Sequence, residues 1–241
     1  MENTKDSIEN PTSAEAYVNR GDRLYDQGDY QAAISDYDEA IRLDPKYARA
    51  YYNRGNAKSE LEKYFEAISD YDQSIRINPN DAGVYYNRGN AKKELGHPEA
   101  AIPDYDEAIR LDPDDVRAYG NRGTAKSELG KYFEAISDYD QAIRLDLDEA
   151  DEAIIYNNRG IAKSELGHPE AAISDYDEAI RLNPEYAKAH NNRGNAKKEM
   201  GDLEGAISDY DVAIRLDPNN ATAHTNRENA QKELREREKE T

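Results

Sequence analysis

Cysteine is absent from the 241-residue chain, which excludes a disulfide framework, a thiolate nucleophile and a Cys-based zinc site and leaves no argument for an oxidising compartment. No apolar run approaches the roughly 18 residues that a membrane span needs. The opening stretch, MENTKDSIENPTS, lacks the apolar core of a signal peptide. The expected location is therefore the cytoplasm, with no membrane contact and with residues 1–12 as a flexible leader. Positive charge is also scarce. Lys and Arg total 32 against 51 Asp and Glu, giving a net charge of −19, and no Lys/Arg-rich face is present that could release counterions from a phosphate backbone. Direct nucleic-acid binding is excluded on that ground. The acidity favours solubility and would attract a basic partner.

Catalytic signatures are missing too. There is neither a Walker loop nor a Rossmann fingerprint, and none of the four histidines has a second His at i+4 or a nucleophile motif beside it. His97 and His168 open helices, while His190 and His224 stand in the place of Tyr51, where packing explains them. The chain is not expected to be an enzyme or to carry a cofactor or metal.

What the sequence does hold is a repeat. The triplet Asn-Arg-Gly recurs with its glycine at Gly21, Gly55, Gly89, Gly123, Gly160 and Gly194, a spacing of 34 residues with one step of 37. Self-similarity at this period means that stacked neighbours bury what no single unit can bury alone. In the copy starting at Ala48, Ala50, Tyr51, Gly55, Ala57 and Leu61 gather on one side of a helix. Ala67, Ile68, Tyr71, Ile75 and Ile77 do so on a second one, which Pro79 stops. Gly28, Gly96, Gly130, Gly167 and Gly201 mark the turn between the two helices, with Glu62 in that place in the second copy. Pro98 and Pro169 sit in the first turn of a second helix, where proline is tolerated.

The glycine of each triplet and the alanine twelve residues later (Gly55 with Ala67, Gly89 with Ala101) are expected where two antiparallel helices cross closely. The seventh copy reads Asn226-Arg227-Glu228 and has no second helix, so it is a cap whose charged end solvates the stack. The expected layout is a single solenoid over 13–235: repeats at about 14–47, 48–81, 82–115, 116–149, 153–186 and 187–220, a capping helix over 221–235, and a charged tail over 236–241.

These features resemble the tetratricopeptide repeat, a helix-turn-helix unit with the pattern W-x2-L-G-x2-Y, A-x3-F and P. This chain reads Tyr51-x2-Arg54-Gly55-x2-Lys58, Ala67-x3-Tyr71 and Pro79, with similar strings over about 14–235. The resemblance implies an all-α, right-handed superhelix whose first helices line a concave groove that holds a protein or peptide. Two departures recur. Arg20, Arg54, Arg88, Arg122, Arg159, Arg193 and Arg227 replace the usual Leu, and Lys58, Lys92, Lys126, Lys163 and Lys197 replace the usual Tyr. An Asp follows each of the first six arginines by sixteen residues: Asp36, Asp70, Asp104, Asp138, Asp175 and Asp209. A bidentate Arg–Asp pair across the two helices is predicted. The Asp-Tyr-Asp strings are otherwise read as solvated outer faces.

If the family geometry holds, groove positions are Arg49, Tyr52, Asn53, Asn56, Tyr86, Asn87, Asn90, Lys93, Arg117, Asn121, Asn157, Asn158, Lys188, Asn191, Asn192 and Asn195. A ladder of amides beside two tyrosines could hold an extended peptide by its backbone. The competing reading is that the Asn before each Arg-Gly (Asn53, Asn87, Asn121, Asn158, Asn192) bonds its own solenoid. Some family members clamp a partner's terminal carboxylate with Lys, Asn, Asn, Lys and Arg. Here Asn56, Asn87 and Arg117 match, but Tyr52 and Asn121 stand where cations are needed, which argues against a chaperone-tail partner.

The 37-residue step carries Asp146, Asp148, Glu149, Asp151 and Glu152, with Leu147 in place of proline. A calcium loop counted from Asp146 would need Gly and Glu where Asp151 and Asn157 stand. The extra residues are instead expected to lengthen a helix by nearly a turn or to make a hinge. Pro103, inside a second helix, should kink it or cost up to about 3 kcal/mol. Copies two and four share KYFEAISDYDQ, and copies three and five share HPEAAI and DYDEAIRL. Such near-identical modules can also swap between chains. The leading expectation is a non-catalytic adaptor. A self-assembling structural protein, forming homo-oligomers, and the repeat portion of a larger signalling or enzyme system are the alternatives.

Overall fold

A computed structural model describes residues 11–145 and 149–240. The first ten residues of the expected leader, Asp146 to Asp148 of the candidate calcium loop, and Thr241 at the end of the expected tail lie outside the described residues. The chain is all-α: thirteen helices and no strand occur among the described residues. It divides into two compact units, Met1–Pro113 and Asp114–Thr241.

The first unit holds α1 (Ala14–Asp26), α2 (Tyr30–Leu43), α3 (Ala48–Glu60), α4 (Tyr64–Ile77), α5 (Ala82–Glu94) and α6 (Pro98–Leu111). The second holds α7 (Val116–Glu128), α8 (Tyr132–Arg144), α9 (Glu149–Glu165), α10 (Pro169–Leu182), α11 (Ala187–Glu199), α12 (Leu203–Leu216) and α13 (Ala221–Glu240). Within each unit consecutive helices pack as hairpins and each hairpin packs on the next. The pairing is antiparallel: Lys58 meets Asp70 near the α3–α4 turn, and the Ser74 hydroxyl donates to the Ala48 carbonyl at the far end.

Short-range chemistry sets the boundaries. The side chains of Ser13, Asp29, Asp81, Asp115 and Asp202 accept backbone N–H groups at helix starts. The turns inside the hairpins close on a left-handed residue, with φ between 71° and 84° at the five glycines and 58° at Glu62. Where the chain leaves a second helix, Asp44, Asn78, Asn183 and Asp217 each accept the N–H two residues on, just around the proline that ends the helix.

The core is small side chains around one large one. Tyr37, Tyr71, Tyr105, Tyr139, Tyr176 and Tyr210 are buried, together with alanines such as Ala33, Ala67, Ala101, Ala135, Ala172 and Ala206. A methyl group on Gly55 would stand 2.6 Å from the Tyr71 ring, and one on Gly160 would stand 2.7 Å from that of Tyr176. The triplet glycine thus makes room chiefly for the tyrosine sixteen residues later, rather than for the alanine twelve residues later that the sequence points to.

Two further expectations meet corrections. α9 starts at Glu149, ahead of the expected 153, and has 17 residues against 13 in its sister α7. Glu149, Asp151 and Glu152 fall in its first turn, where acidic groups complement the helix dipole. The longer step therefore extends a helix, and it lies inside the second unit, where α8 packs on α9, rather than at the division between units. α13 runs through Glu240, five residues beyond the expected 235. Pro103 lies inside α6, as expected, and α6 spans 14 residues like α4, α10 and α12.

Candidate functional site

The predicted Arg–Asp pairs form in both units. Arg54 donates through Nε and Nη2 to the two oxygens of Asp70, at 2.9 and 2.5 Å, a fork-to-fork contact. The same bidentate geometry joins Arg20–Asp36, Arg88–Asp104, Arg122–Asp138, Arg159–Asp175 and Arg193–Asp209. The recurrent lysine adds a third donor, with Lys58 Nζ 2.7 Å from Asp70 and Lys197 Nζ 2.8 Å from Asp209. Burial pushes the Asp209 carboxyl up, and the Arg193 and Lys197 donors more than reverse it, so its pKa falls below the usual value. Five of these six guanidinium groups also lie over a tyrosine three residues earlier, as Arg54 does over Tyr51 at 5.5 Å and Arg159 over Tyr156 at 5.1 Å, while His190 holds that place before Arg193.

The arginines do a second job that the spacing did not reveal. Nη1 of Arg54 reaches back to Asp38 of the preceding hairpin at 2.5 Å, and Arg88 to Asp72, Arg159 to Asp140, Arg193 to Asp177 and Arg227 to Asp211 do likewise. The Asp-Tyr-Asp strings are therefore not simply solvated. Their first carboxylate is buried, the tyrosine fills the core, and the second carboxylate ties one hairpin to the next. Repetition of this constellation in both units marks it as framework, not as a site.

The first-helix face is where the repeats differ. In Met1–Pro113, Asn53 Nδ2 donates to Asp22 at 2.7 Å, and Asp22 also receives Arg49 and the Tyr37 hydroxyl. One hairpin on, Asn87 Nδ2 donates to the Tyr52 hydroxyl at 3.0 Å and to Asn56 Oδ1 at 2.9 Å, where the Tyr71 hydroxyl also lands. Asn90 accepts from Tyr105, and Tyr86 lies 6.2 Å from the Tyr105 ring. Lys93 approaches Glu94 at 3.7 Å. Asn53 and Asn87 thus bond their own solenoid, through side chains of the preceding hairpin. Above this layer lies a cavity of about 520 Å³ lined by Tyr25, Asn56, Ser59, Glu60, Glu62, Tyr64, Tyr71, Asn87, Asn90, Ala91 and Glu94. Tyr25, Glu60 and Tyr64 were missed from sequence. The usable signal was that Tyr25 stands where later copies carry Ser or Lys.

In Asp114–Thr241 the amide ladder continues without a tyrosine at the Tyr52 position, although the Tyr210 hydroxyl still donates to Asn195 at 2.8 Å. Asn192 donates to Asn157 at 3.0 Å, and Asn226 donates to Asn191 and Asn195 at 3.2 and 2.9 Å. Asn157 and Asn191 are only 3% and 8% exposed, so these two expected groove positions offer a ligand little surface. Gly120 occupies the Tyr52 position, and a side chain there would meet Ile155 at 2.8 Å. Asn121 is half-buried on α7, and the exposed Arg117 sits against Asp115 at 3.2 Å. Asn158, Lys188 and Asn192, with Ile161, Tyr186 and Thr222, help to line a second cavity of about 410 Å³.

His190 and His224 repeat the role of the tyrosines they replace. The Tyr51 and Tyr85 hydroxyls donate to the carbonyls of Pro45 and Pro79, and the histidine Nε2 atoms meet those of Pro184 and Pro218 at 3.1 Å. Among the described residues no group of acidic, His or Cys side chains is placed to hold a metal ion. No helix there is long and apolar enough to cross a membrane.

With this geometry established, known families account for most of the chain. A family profile described as TPR repeat matches residues 21–61 and 55–96, and profiles described as tetratricopeptide repeat match 82–115, 114–185 and 157–221. The chain belongs to the tetratricopeptide repeat family. Comparison with curated protein sequences found no match. Among solved structures, YrrB, described as a TPR protein with an unusual peptide-binding site, is 26% identical with a TM-score of 0.65, covering 73% of this chain and 90% of its own. MamA residues 41-end from Desulfovibrio magneticus RS-1 is 21% identical with a TM-score of 0.67, covering 73% and 98%. PilF of Pseudomonas aeruginosa is 19% identical with a TM-score of 0.74, covering 88% and 95%. The last two likenesses speak to the fold alone.

Proposed function

We propose that this tetratricopeptide repeat protein is a non-catalytic adaptor that holds a protein or peptide on the face of its first helices. The observation that carries the reading is the division of labour in the side chains. The buried Arg–Asp–Lys and Gly–Tyr constellations recur from copy to copy, whereas the first-helix faces vary and open into cavities of about 520 and 410 Å³. Variation imposed on a constant framework is what recognition of a particular partner requires. The likeness to YrrB, a peptide-binding repeat protein by its description, adds support. In this reading Tyr52, Asn56, Asn87 and Asn90 form the floor of one cavity or brace it, and Asn158, Lys188 and Asn192 help to line the other.

Site-specific photo-crosslinking in the native cell tests the assignment. A photoreactive residue at Ser59 or Lys188 is expected to capture a protein, whereas one at Glu66 or Glu178 on the second-helix surface is not. Adducts formed only from the second-helix positions would overturn the reading. Self-association is the second reading, favoured by Phe65 and Phe133. They are the only phenylalanines in the chain, occupy matching places in the near-identical copies two and four, and are 72% and 74% exposed. A mass that rises with concentration and returns to that of the monomer in a Phe65→Ala, Phe133→Ala variant would establish it.

A further inference from the structure

The cavity of about 520 Å³ in Met1–Pro113 has a chemistry of its own. Tyr25 of α1 and Tyr64 of α4 contribute aromatic walls, amides lie at its base, and Glu60, Glu62 and Glu94 are carboxylates on its lining, which includes no Lys or Arg. The Tyr25 ring is held edge-on to Tyr30 at 5.2 Å, and its hydroxyl donates to Glu60 at 3.2 Å. Lys93 comes no nearer to Glu94 than 3.7 Å, beyond the length of a charge-assisted hydrogen bond. Tyr25 corresponds to Ser59, Lys93, Ser127, Ser164 and Lys198 in the later copies, and Glu62 holds a turn position that glycine holds in the others. The phenols register the carboxylates: burial and then Glu60 push Tyr25 up to about 12, and burial followed by Glu94, Glu62 and Glu60 raises Tyr64.

We propose that this cavity receives a lysine or arginine side chain from an extended segment of a partner protein. The inference rests on the adaptor reading and gives that partner its chemistry. A Lys or Arg stem can lie along tyrosine rings while its cationic head meets carboxylates, combining apolar contact, cation–π attraction and ion pairing in one occupant. An acidic segment would meet like charge, and an aliphatic one would desolvate carboxylates without compensation. The charge complementarity of a cavity, rather than that of the acidic chain at large, selects the ligand.

The test uses the full chain and a library of acetylated, amidated nonapeptides, randomised except for a central Lys, Arg, Glu or Leu. Retention of the Lys and Arg pools about tenfold above the Glu and Leu pools is expected, equivalent to about 1.4 kcal/mol. That preference should vanish in Glu60→Gln, Glu94→Gln and in Tyr25→Ala. It should persist in Glu66→Gln, Glu99→Gln, which removes the same charge from an outer surface. A Lys/Arg preference that survives in the cavity variants, or is lost equally in the outer one, would overturn the proposal in favour of diffuse attraction to net charge. Retention of the Leu or Glu pool at photo-crosslinked Ser59 would overturn it while leaving the adaptor reading intact. Failure to retain any pool would count against both.

Discussion

In Met1–Pro113 the first helices present Tyr25, Tyr52 and Tyr86 with Glu60 and Glu94, while in Asp114–Thr241 the positions matching Tyr52 and Tyr86 hold Gly120, Asn157 and Asn191. Beneath both surfaces the buried chemistry is the same: a guanidinium forked onto a carboxylate, a lysine on that carboxylate, and a tyrosine ring against a glycine. The difference teaches where this sequence is constrained by folding and where it is released for recognition. Framework substitutions should therefore act alike in the two units, and surface ones should not.

The largest effect is expected from removing a shared carboxylate. Asp70→Ala in the first unit and Asp138→Ala in the second each leave an arginine and a lysine facing an emptied, mostly buried position. A loss of about 3 kcal/mol or more in urea unfolding is expected from each, and a loss confined to one unit would break the equivalence. Gly55→Ala and Gly160→Ala come next, because the new methyl group meets a buried tyrosine ring in either unit. About 1–3 kcal/mol is expected from overpacking, read from the same unfolding curves.

Two smaller predictions sharpen the contrast. Glu62 carries a side chain at φ 58°, a conformation glycine adopts without penalty. Glu62→Gly should gain up to about 1 kcal/mol of stability, while the matching turns of the second unit, already glycine, offer no such gain. If the cavity proposal holds, the gain comes with weaker retention of basic peptides. His190, in the second unit, has its pKa lowered below 6.5, first by burial and then by Arg193 and Arg215, against the opposing pull of the Pro184 carbonyl and Asp209. Its Nδ1 is buried without a hydrogen-bond partner. Since the unfolded chain takes up the proton first, this contribution is intact above pH 6.5 and declines as the pH falls below it. His190→Tyr, which restores the residue of the first-unit copies, should flatten that slope in unfolding measured from pH 7 to 5.

Much of the fold was legible because its determinants are local. The turn glycines, the terminating prolines and the Arg–Asp interval of sixteen residues each act within one hairpin, so their spacing reports their contact. The role of Glu62 as a stand-in for glycine was readable for the same reason. What escaped notice depends on how hairpins stack. Asp38, Asp72 and Asp177 looked like solvated surface because their partner belongs to the following copy. The amides of Asn87 and Asn192 were divided between ligand and framework because their acceptors lie 31 and 35 residues back. Gly55 was matched to Ala67 by helix-crossing logic that took no account of how far the Tyr71 ring reaches. The aromatic cavity was the least legible feature, since Tyr25 occurs once and a repeat-based reading discounts what does not recur.

Arg54, Arg88, Arg159 and Arg193 each reach their own carboxylate and that of the copy before, so these bonds joining neighbouring hairpins span only 16 or 19 residues of chain. Contacts this close in sequence carry a small loop-closure cost and favour rapid folding. During synthesis, a hairpin emerging from the ribosome finds its docking partner already made, because Asp38 precedes Arg54 and Asp72 precedes Arg88. The direction of these ion pairs therefore gives the chain an order of assembly in time, from the amino end onward within each unit.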